Sequence, residues 1–327
     1  MRSLRLAVQE GRFAHSQILR PLSGLWYLGA TAKNWLYDRR YLPIERLSVP
    51  VVSVGAITAG GSGKTPLVHL LANTLRNYGP VAILSRGYRG GDEAKMLQRR
   101  LPDVSVLIGK DRISHGRNAI ARGARLLILD DGFQYRCLHR DFELLALSGK
   151  NPYGYGAYLP RGLLRDPPSR LKEATAFFSG EPVGMFSVPS ICVQMQTRRL
   201  LDLRGNEQQP LVGKKIGAYC AIAHPQRFFQ TLKDLGAEII HSWILPDHEM
   251  PNMNALASFA AHCRNNGASF LVCTEKDAVK LPRKLSLALP TLYLEMELEV
   301  VSGGAQWKNL IEKIVLKMNN STLKNEE

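Results

Sequence analysis

The sequence has few acidic residues for its size, no long apolar run and no paired-cysteine pattern, and each shortage excludes a class of protein. Against 43 Lys and Arg stand only 28 Asp and Glu, so the 327-residue chain carries a formal charge of +15. No apolar run approaches the roughly 20 residues that a membrane-spanning helix needs. The apolar stretch within the first forty residues is not a convincing signal peptide, because it lies too far from the N-terminus and no small-residue cleavage site follows it. The five cysteines are scattered without metal-ligand spacing, which favours a reducing compartment over a disulfide framework.

The excess of basic residues predicts an anionic partner, such as nucleic acid, an acidic membrane leaflet or a phosphorylated substrate. No recognition-helix, zinc-finger or aromatic RNP pattern accompanies the basic residues, so we expect no nucleic-acid partner. A guanine-reading NKxD motif is not evident either, which argues against a GTPase. The length and the 45% apolar content predict a globular chain of two domains.

Residues 50–67, PVVSVGAITAGGSGKTPL, give the strongest local signal. A β-branched apolar run leads into a glycine-rich turn and then into a helical segment, which is the arrangement that binds nucleotide phosphates. Lys64 would reach the β- and γ-phosphates, and the Thr65 hydroxyl would ligate Mg²⁺. Thr58 stands where the usual pattern has its first glycine, and a glycine-rich turn with a chance Lys-Thr is the alternative. The candidate nucleotide-binding residues are Thr58, Ala59, Gly60, Gly61, Ser62, Gly63, Lys64 and Thr65.

Alternating strand-like and helix-like segments predict an α/β fold. We expect a P-loop NTPase-type, mostly parallel sheet with helices on both faces, followed by a second, smaller α/β domain. The expected organisation is an N-terminal amphipathic membrane-associated helix over 1–40, a P-loop domain over 41–188, an extended linker over 189–212, the smaller domain over 213–318 and a polar, frayed tail over 319–327.

Polar side chains follow two of the predicted strands. Asp130 and Asp131 close a fully apolar run, where two adjacent carboxylates are costly unless a cation is present. The predicted metal ligands are therefore Thr65, Asp130 and Asp131. Arg86 follows the run 81–84 at the edge of the sheet where α/β proteins bind ligands.

The first forty residues carry seven basic side chains and several aromatic ones. Trp26, Tyr27, Trp35 and Tyr37 with basic flanks indicate a helix that lies in the membrane headgroup region. The alternative is an amphipathic helix packed on the protein's own core. On the membrane interpretation, we expect removal of 1–37 to release the protein from vesicles and to leave nucleotide binding largely untouched.

Taken together, the motifs resemble those of one family, the tetraacyldisaccharide 4′-kinases, which are the lipid A 4′-kinases of Gram-negative bacteria. The resemblance covers almost the whole chain, and the missing first glycine of the P-loop is usual in that family. The motifs are VPVVSVGAITAGGSGKTPL, ILSRGYRG, GDE, DDGFQ, LPRGLLRDPPSRLK, AIAHPQRFFQTLK, LPDH and TEKDAVKL.

The resemblance implies phosphoryl transfer from ATP, with Mg²⁺, to the 4′-hydroxyl of a tetraacylated glucosamine disaccharide 1-phosphate, which gives lipid IVA. It also implies a peripheral enzyme on the cytoplasmic face of the bacterial inner membrane. By position, Asp92 matches the catalytic aspartate and His248 the histidine that supports it, with Lys64 on the phosphates. Arg165 and Asp166 match a consecutive Arg-Glu pair of the family, and together with Arg86 they are the candidate substrate residues. A membrane-associated P-loop ATPase without a lipid substrate is the alternative.

Three departures from the family pattern concern the neighbourhood of these residues. The loop between Gly90 and Gly91 is shorter than usual, Tyr135 stands where His is frequent after DDGFQ, and Asp166 replaces Glu. None of the three touches the predicted phosphate cradle.

Overall fold

The computed structural model describes residues 7–8, 11–87, 91–148, 151–181, 188–222, 224–247 and 249–326, with side chains as far as residue 321. The helices are α1 (Arg20–Asp38), α2 (Lys64–Leu75), α3 (Asp92–Arg100), α4 (Arg112–Ala121), α5 (Pro225–Asp234), α6 (Met253–Asn265), α7 (Glu275–Ala278) and α8 (Gly304–Glu326). The strands are β1 (Val51–Gly55), β2 (Val81–Ser85), β3 (Ser105–Ile108), β4 (Leu126–Asp130), β5 (Phe142–Leu147), β6 (Ala176–Ser179), β7 (Ser190–Asp202), β8 (Lys215–Cys220), β9 (Glu238–Ile244), β10 (Phe270–Thr274) and β11 (Thr291–Ser302).

The chain divides into two units. The first unit contains residues 1–87, 97–194 and 298–327, and the second contains 88–96 and 195–297. Strands β7 and β11 each begin in one unit and end in the other. The α/β class and the mostly parallel sheet that the sequence predicts are confirmed.

The first unit is built on a parallel sheet of strand order β3-β2-β4-β1-β5-β6-β7. Residues of β1 alternate between the two sides of this sheet. Val52 and Val54 pack with Leu67 of α2, whereas Val51 packs with Ala119 of α4. Helices therefore cover both faces of the sheet, and β1 is fully buried, as its β-branched apolar composition predicts.

The strand order creates a switch point between β1 and β4. From β1 the chain proceeds to β2 on one side, and from β4 it proceeds to β5 on the other. In open α/β sheets, ligands bind at the carboxyl ends of the strands that flank such a point. The glycine-rich turn follows β1, and Asp131 follows β4.

In the second unit, β10 and β8 pair in parallel and β8 pairs with β9. Leu271 and Tyr219 pack on one side of these strands with Leu256 of α6, and Val272 packs on the other side with Leu232 of α5. Two separate hydrophobic clusters thus enclose the strands.

The C-terminal region differs from what the sequence led us to expect. We expected 213–318 to form the smaller domain and 319–327 to fray, but residues 298–326 belong to the first unit and α8 runs to Glu326. Its Ile314 and Met318 are fully buried against the core of that unit, and Arg125 donates a hydrogen bond to Asn319. Apolar residues spaced three and four apart fix this helix on the sheet despite its polar composition.

In the described part of the chain, no helix has the length and apolar character needed to cross a bilayer.

Candidate active site

The glycine-rich turn leads from β1 directly into α2. Gly60 and Gly63 have φ angles of 108° and 80°, the left-handed region that glycine adopts without strain. Gly63 is the N-terminal cap of α2, and no side chain caps this helix. Thr65 is buried in the first turn, while Gly60 and Gly61 are exposed. The turn therefore presents backbone and a helix N-terminus at its outer surface.

A second loop holds the turn in place. The amide of Ala59 donates to the carbonyl of Leu163 at 2.7 Å, and the amide of Arg165 donates to the carbonyl of Ile57 at 2.8 Å. Thr58 and Leu164 form an antiparallel bridge between the same two segments. The predicted substrate residues Arg165 and Asp166 are thus placed beside the predicted nucleotide-binding residues.

Asp130 and Asp131 lie at the carboxyl end of β4, as predicted. The Asp130 carboxylate is buried and accepts a hydrogen bond from the Ser85 hydroxyl at 3.0 Å. Asp131 has a φ of 53°, and both of its carboxylate oxygens accept hydrogen bonds from Arg165 at 2.8 Å. Lys64 Nζ lies 3.8 Å from Oδ1 of Asp131. The turn after β1 and the carboxylates after β4 therefore meet, as the switch point requires.

The charges around Asp131 determine its ionisation. Burial raises the pKa of the Asp131 carboxyl, but the Arg165 hydrogen bonds and the charges of Arg165 and Lys64 outweigh burial and hold the pKa well below its usual range. Asp131 is consequently ionised throughout the physiological range, which is the state in which a carboxylate binds a cation. Lys64 Nζ also donates to the Ser62 hydroxyl at 3.1 Å.

Two glycines let the DDGFQ segment approach β1 closely. A Cβ on Gly55 would lie 2.5 Å from Cβ of Phe133, and a Cβ on Gly132 would lie 2.4 Å from the Ser53 hydroxyl. Neither position has room for a side chain, so the close packing of DDGFQ on β1 depends on both glycines.

Asp166 is enclosed by side chains of the protein itself. Its carboxylate accepts hydrogen bonds from Asn34 at 3.0 Å, Gln134 at 2.6 Å and Arg170 at 2.9 Å. Burial raises the pKa of Asp166, but the charge of Arg170 and the hydrogen bonds from Asn34 and Gln134 lower it further than burial raises it. This carboxylate joins α1, DDGFQ and the loop beside the turn, and its role as a substrate residue stays a prediction.

Arg112, which the sequence analysis did not select, holds the main chain of Asp130 and Asp131. Its Nη1 donates to the backbone carbonyls of Asp130 at 3.0 Å and Asp131 at 3.3 Å, and its guanidinium lies 4.3 Å from the centre of the Tyr135 ring. Burial lowers the pKa of Arg112, and the nearby Asp131 opposes that shift. The Tyr135 hydroxyl accepts a hydrogen bond from the Arg112 amide at 3.1 Å. Tyr135, which stands where the family often has His, therefore fixes the start of α4 through this hydrogen bond.

The N-terminal helix contacts the site directly, which the expectation for residues 1–37 did not include. Lys33 Nζ donates to the carbonyl of Gln134 at 2.9 Å, and the Trp26 indole donates to the carbonyl of Arg165 at 3.3 Å. Arg136 donates to the side-chain oxygen of Asn34 at 3.2 Å and pairs with Asp38 at 2.6 Å. One face of α1 thus packs on the protein through side chains that form these hydrogen bonds.

The other face of α1 is exposed. The large apolar side chains on it include Leu22, Leu25, Leu28 and Trp35. Packing on the protein's own core thus describes one face of the helix, and membrane contact of the exposed face stays a prediction.

The remaining predicted residues are Arg86, Asp92 and His248. Arg86 is exposed at the end of β2, and its charge lowers the pKa of Arg112 further. Asp92 is buried in the first turn of α3 and belongs to the second unit, where its carboxylate lies 3.8 Å from Lys280 Nζ. His248 lies outside the described residues.

The predicted metal ligands provide oxygen donors only. Among the described residues, no three His, Cys, Asp or Glu side chains come together as ligands of one ion. Mg²⁺ is usually held by one or two protein carboxylates, waters and substrate phosphates, so such a cluster is not required. The hydroxyl of Thr65 and the carboxylates of Asp130 and Asp131 are hard oxygen donors and fit Mg²⁺ in kind.

Comparison with known proteins gives a consistent result. Residues 15–316 match the family described as tetraacyldisaccharide-1-P 4'-kinase. The tetraacyldisaccharide 4'-kinase of Syntrophus aciditrophicus is 37% identical over 341 residues, covering 89% of this chain and 91% of the relative. That of Chlamydia pneumoniae is 36% identical over 302 residues, covering 81% and 82%.

A solved structure has the same fold. The crystal structure of LpxK from Aquifex aeolicus in complex with ATP matches with a TM-score of 0.76 at 30% identity, and the match covers 91% of this chain and 98% of that one.

Proposed function

Because this chain belongs to the tetraacyldisaccharide-1-P 4'-kinase family, we propose that it transfers the γ-phosphoryl group of ATP to the 4′-hydroxyl of a tetraacylated glucosamine disaccharide 1-phosphate, a step of lipid A biosynthesis. The observation that carries the proposal is the meeting of Lys64, Asp131 and Arg165 at the switch point of the first unit's sheet.

The glycine-rich turn is proposed as the phosphate cradle. The N-terminus of α2, which follows the turn directly, supplies partial positive charge, and Lys64 adds a full one. Lys64 Nζ lies 3.5 Å from the Gly60 carbonyl, so its charge is beside the turn that would hold the phosphates. Phosphoryl transfer depends mainly on such positioning and charge neutralisation.

Thr65, Asp130 and Asp131 are proposed to hold Mg²⁺. When bound, the ion would neutralise charge that develops on the β- and γ-phosphate oxygens. The ion pair of Asp131 with Arg165 keeps the carboxylate ionised and orients both of its oxygens. Arg165 would then supply a second cation for the phosphates, which is how we interpret its match to the family pattern.

Asp92 is proposed as the general base. The 4′-hydroxyl oxygen forms its bond to the γ-phosphorus while the bond from that phosphorus to the bridging oxygen of ADP breaks, and Asp92 receives the hydroxyl proton. His248 is proposed to orient Asp92. Asp92 lies in the first turn of α3, with Glu93 next to it.

The exposed face of α1 is proposed as the membrane contact. Large apolar side chains exposed along one face, together with basic residues such as Arg20, suit a helix that lies in the headgroup region. A substrate with four acyl chains stays in the bilayer, so the enzyme must work at its surface. We place the protein at the cytoplasmic face of the inner membrane as a peripheral enzyme, with Arg86, Arg165 and Asp166 near the lipid headgroup.

A transfer assay tests this function. The chain is incubated with ATP labelled at the γ-phosphate, Mg²⁺ and tetraacyldisaccharide 1-phosphate in mixed micelles, and the lipid product is separated. We expect label in a lipid that carries phosphates at positions 1 and 4′, and none with an acceptor that lacks the 4′-hydroxyl. ATP turnover that ignores the acceptor would instead support a P-loop ATPase.

A further inference from the structure

Lys280 is a buried cation in the second unit. It follows α7, and its side chain is only 6% exposed. A buried ammonium group is costly unless its donors are paired. The Nζ atom lies 3.1 Å from Oδ1 of Asp277, 3.3 Å from the carbonyl of Glu249 and 3.8 Å from Oδ2 of Asp92. The oxygens of Asp277 and Glu249 thus lie within hydrogen-bond distance of the ammonium group, and the Asp92 carboxylate lies within ion-pair distance of it.

Asp277 anchors Lys280 to a rigid part of the unit. The Asp277 carboxylate is fully buried and accepts hydrogen bonds from the Ala221 amide at 3.0 Å and the Thr274 hydroxyl at 2.6 Å. Ala221 follows β8 and Thr274 ends β10, so this carboxylate is fixed by two neighbouring strands. Its position fixes the position of Lys280 in turn.

The other two contacts of Lys280 reach the segments that carry the proposed catalytic pair. Asp92 is the proposed base, and Glu249 directly follows His248 in the sequence. We propose that Lys280 is a positioning residue for the phosphoryl-transfer step, because its ammonium group holds the Asp92 carboxylate and the main chain at Glu249 on the same fixed point. This inference rests on the proposed function and on Asp92 as its base.

A neighbouring ion pair provides a matched control. Lys276 pairs with Glu93 at 2.6 Å, and the two side chains are 37% and 38% exposed. This pair joins α7 to α3, as the Lys280 contact does, but it does so through Glu93, the residue next to Asp92. If Lys280 acted only by joining α7 to α3, loss of the shorter Lys276–Glu93 pair should lower kcat by as much.

The test compares single and double variants in the transfer assay, with thermal unfolding as a check on the fold. Lys280→Met should lower kcat by about 10–100-fold, as loss of a supporting contact commonly does, and change KM for ATP by less than about twofold. Lys276→Met should change kcat by less than about twofold. On an Asp92→Asn background, Lys280→Met should have almost no further effect, because a residue that acts through Asp92 has nothing left to position.

Equal losses of kcat from Lys280→Met on the wild-type and Asp92→Asn backgrounds would overturn the proposal, as would a Lys276→Met loss of the same size. Because Lys280→Met leaves Asp277 buried without its cation, the variant Lys280→Met/Asp277→Asn is prepared alongside it. If this folded double variant turns over at the wild-type rate, Lys280 does not position Asp92.

The outcomes separate this proposal from the proposed function. A wild-type chain that transfers no phosphate contradicts the kinase function itself. A fully active Asp92→Asn variant contradicts the base and the positioning role together and leaves the kinase function standing.

Discussion

The two units each contain a lysine beside an aspartate that follows a parallel strand, and the two pairs differ in exposure. In the first unit, Lys64 lies 3.8 Å from Asp131, whose side chain is 40% exposed. In the second, Lys280 lies 3.1 Å from Asp277, which has no exposed side-chain surface. The exposed Asp131 carboxylate, with Lys64 beside it, is accessible to a ligand. The buried Asp277 and Lys280 can contact only the protein groups around them. In the functions proposed above, the same pair of residue types serves binding in one unit and positioning in the other.

Substitution of the proposed base should give the largest effect on turnover. We expect Asp92→Ala to lower kcat by roughly 10²–10⁴-fold, the usual contribution of a general base, with little change in KM for ATP. The matched control is Glu93→Gln, the next residue along α3, which should retain most of the activity. Steady-state transfer kinetics with both substrates varied measure the effect.

The combination with His248 sharpens this test. His248→Ala should cost less than Asp92→Ala, and the double variant should lose less than the product of the two single losses, because groups that act together are not additive. Losses that multiply would assign the two residues independent roles.

Asp131 should act through the metal. We expect Asp131→Ala to lower turnover by about 10²-fold, within the range for loss of one electrostatic contact, and raised Mg²⁺ to restore part of it. The control is Asp103→Asn, a carboxylate of the same unit in an exposed ion pair with Arg76. A Mg²⁺ dependence that matches the wild type would assign Asp131 to structure.

The two faces of α1 allow a comparison within one helix. Asn34→Ala removes a buried hydrogen-bonding group from Asp166 and Arg136, and we expect it to lower the free energy of unfolding by about 1–3 kcal/mol. Leu25→Ser, on the exposed face, should leave the free energy of unfolding nearly unchanged and weaken vesicle binding. Urea unfolding and vesicle co-sedimentation of both variants distinguish the faces, and reversed results would contradict the assignment.

The contacts of α1 also change the expectation for its removal. Deletion of residues 1–37 takes away Lys33 and Asn34, which contact Gln134 and Asp166 beside the proposed cradle. We now expect such a deletion to weaken nucleotide binding as well as membrane binding.

The strands of the first unit were largely predictable, because fully buried parallel strands are continuous apolar runs. The apolar run 81–84 is β2 with one further residue, and all five residues of β2 are buried. Part of the linker expected to be extended over 189–212 forms the 13-residue strand β7. Its middle residues are exposed and polar, so its sequence lacks the alternation that marks a half-buried strand.

The sequence predicted the residues of the site only where they lie in a short local motif. Lys64 and Asp131 lie in short motifs at strand ends, and the fold brings them together because parallel strands share one edge. Asn34 and Lys280 were not selected, because the partners that suggest their roles, Asp166 and Asp92, are distant in the sequence. Asn34 and Asp166 are 132 residues apart, and the reason for a polar residue at either position is visible only in the folded chain.

Glu143 provides the smallest expected effect, on stability alone. Burial raises its pKa from 4.5 to about 7, and the charge of Arg140 opposes that rise. The folded state therefore holds this proton more tightly than the unfolded chain, so the stabilisation is present below pH 4.5 and is lost as the pH rises towards 7. Over this interval, Glu143→Gln should remove a decline of at most about 3 kcal/mol. Urea unfolding at pH 5 and pH 8 measures it, and parallel pH dependences of variant and wild type would contradict it.

The binding of ATP to Lys64→Ala and Lys280→Met, measured side by side by titration calorimetry in Mg²⁺, tests the difference between the two lysine–aspartate pairs most directly. Lys172→Ala, an exposed lysine of the first unit, serves as the surface control. The account predicts that Lys64→Ala weakens ATP binding by at least about tenfold, a loss of about 1.4 kcal/mol, while Lys280→Met and Lys172→Ala bind ATP like the wild type. Wild-type affinity in folded Lys64→Ala, or an equal loss in Lys280→Met, would contradict it.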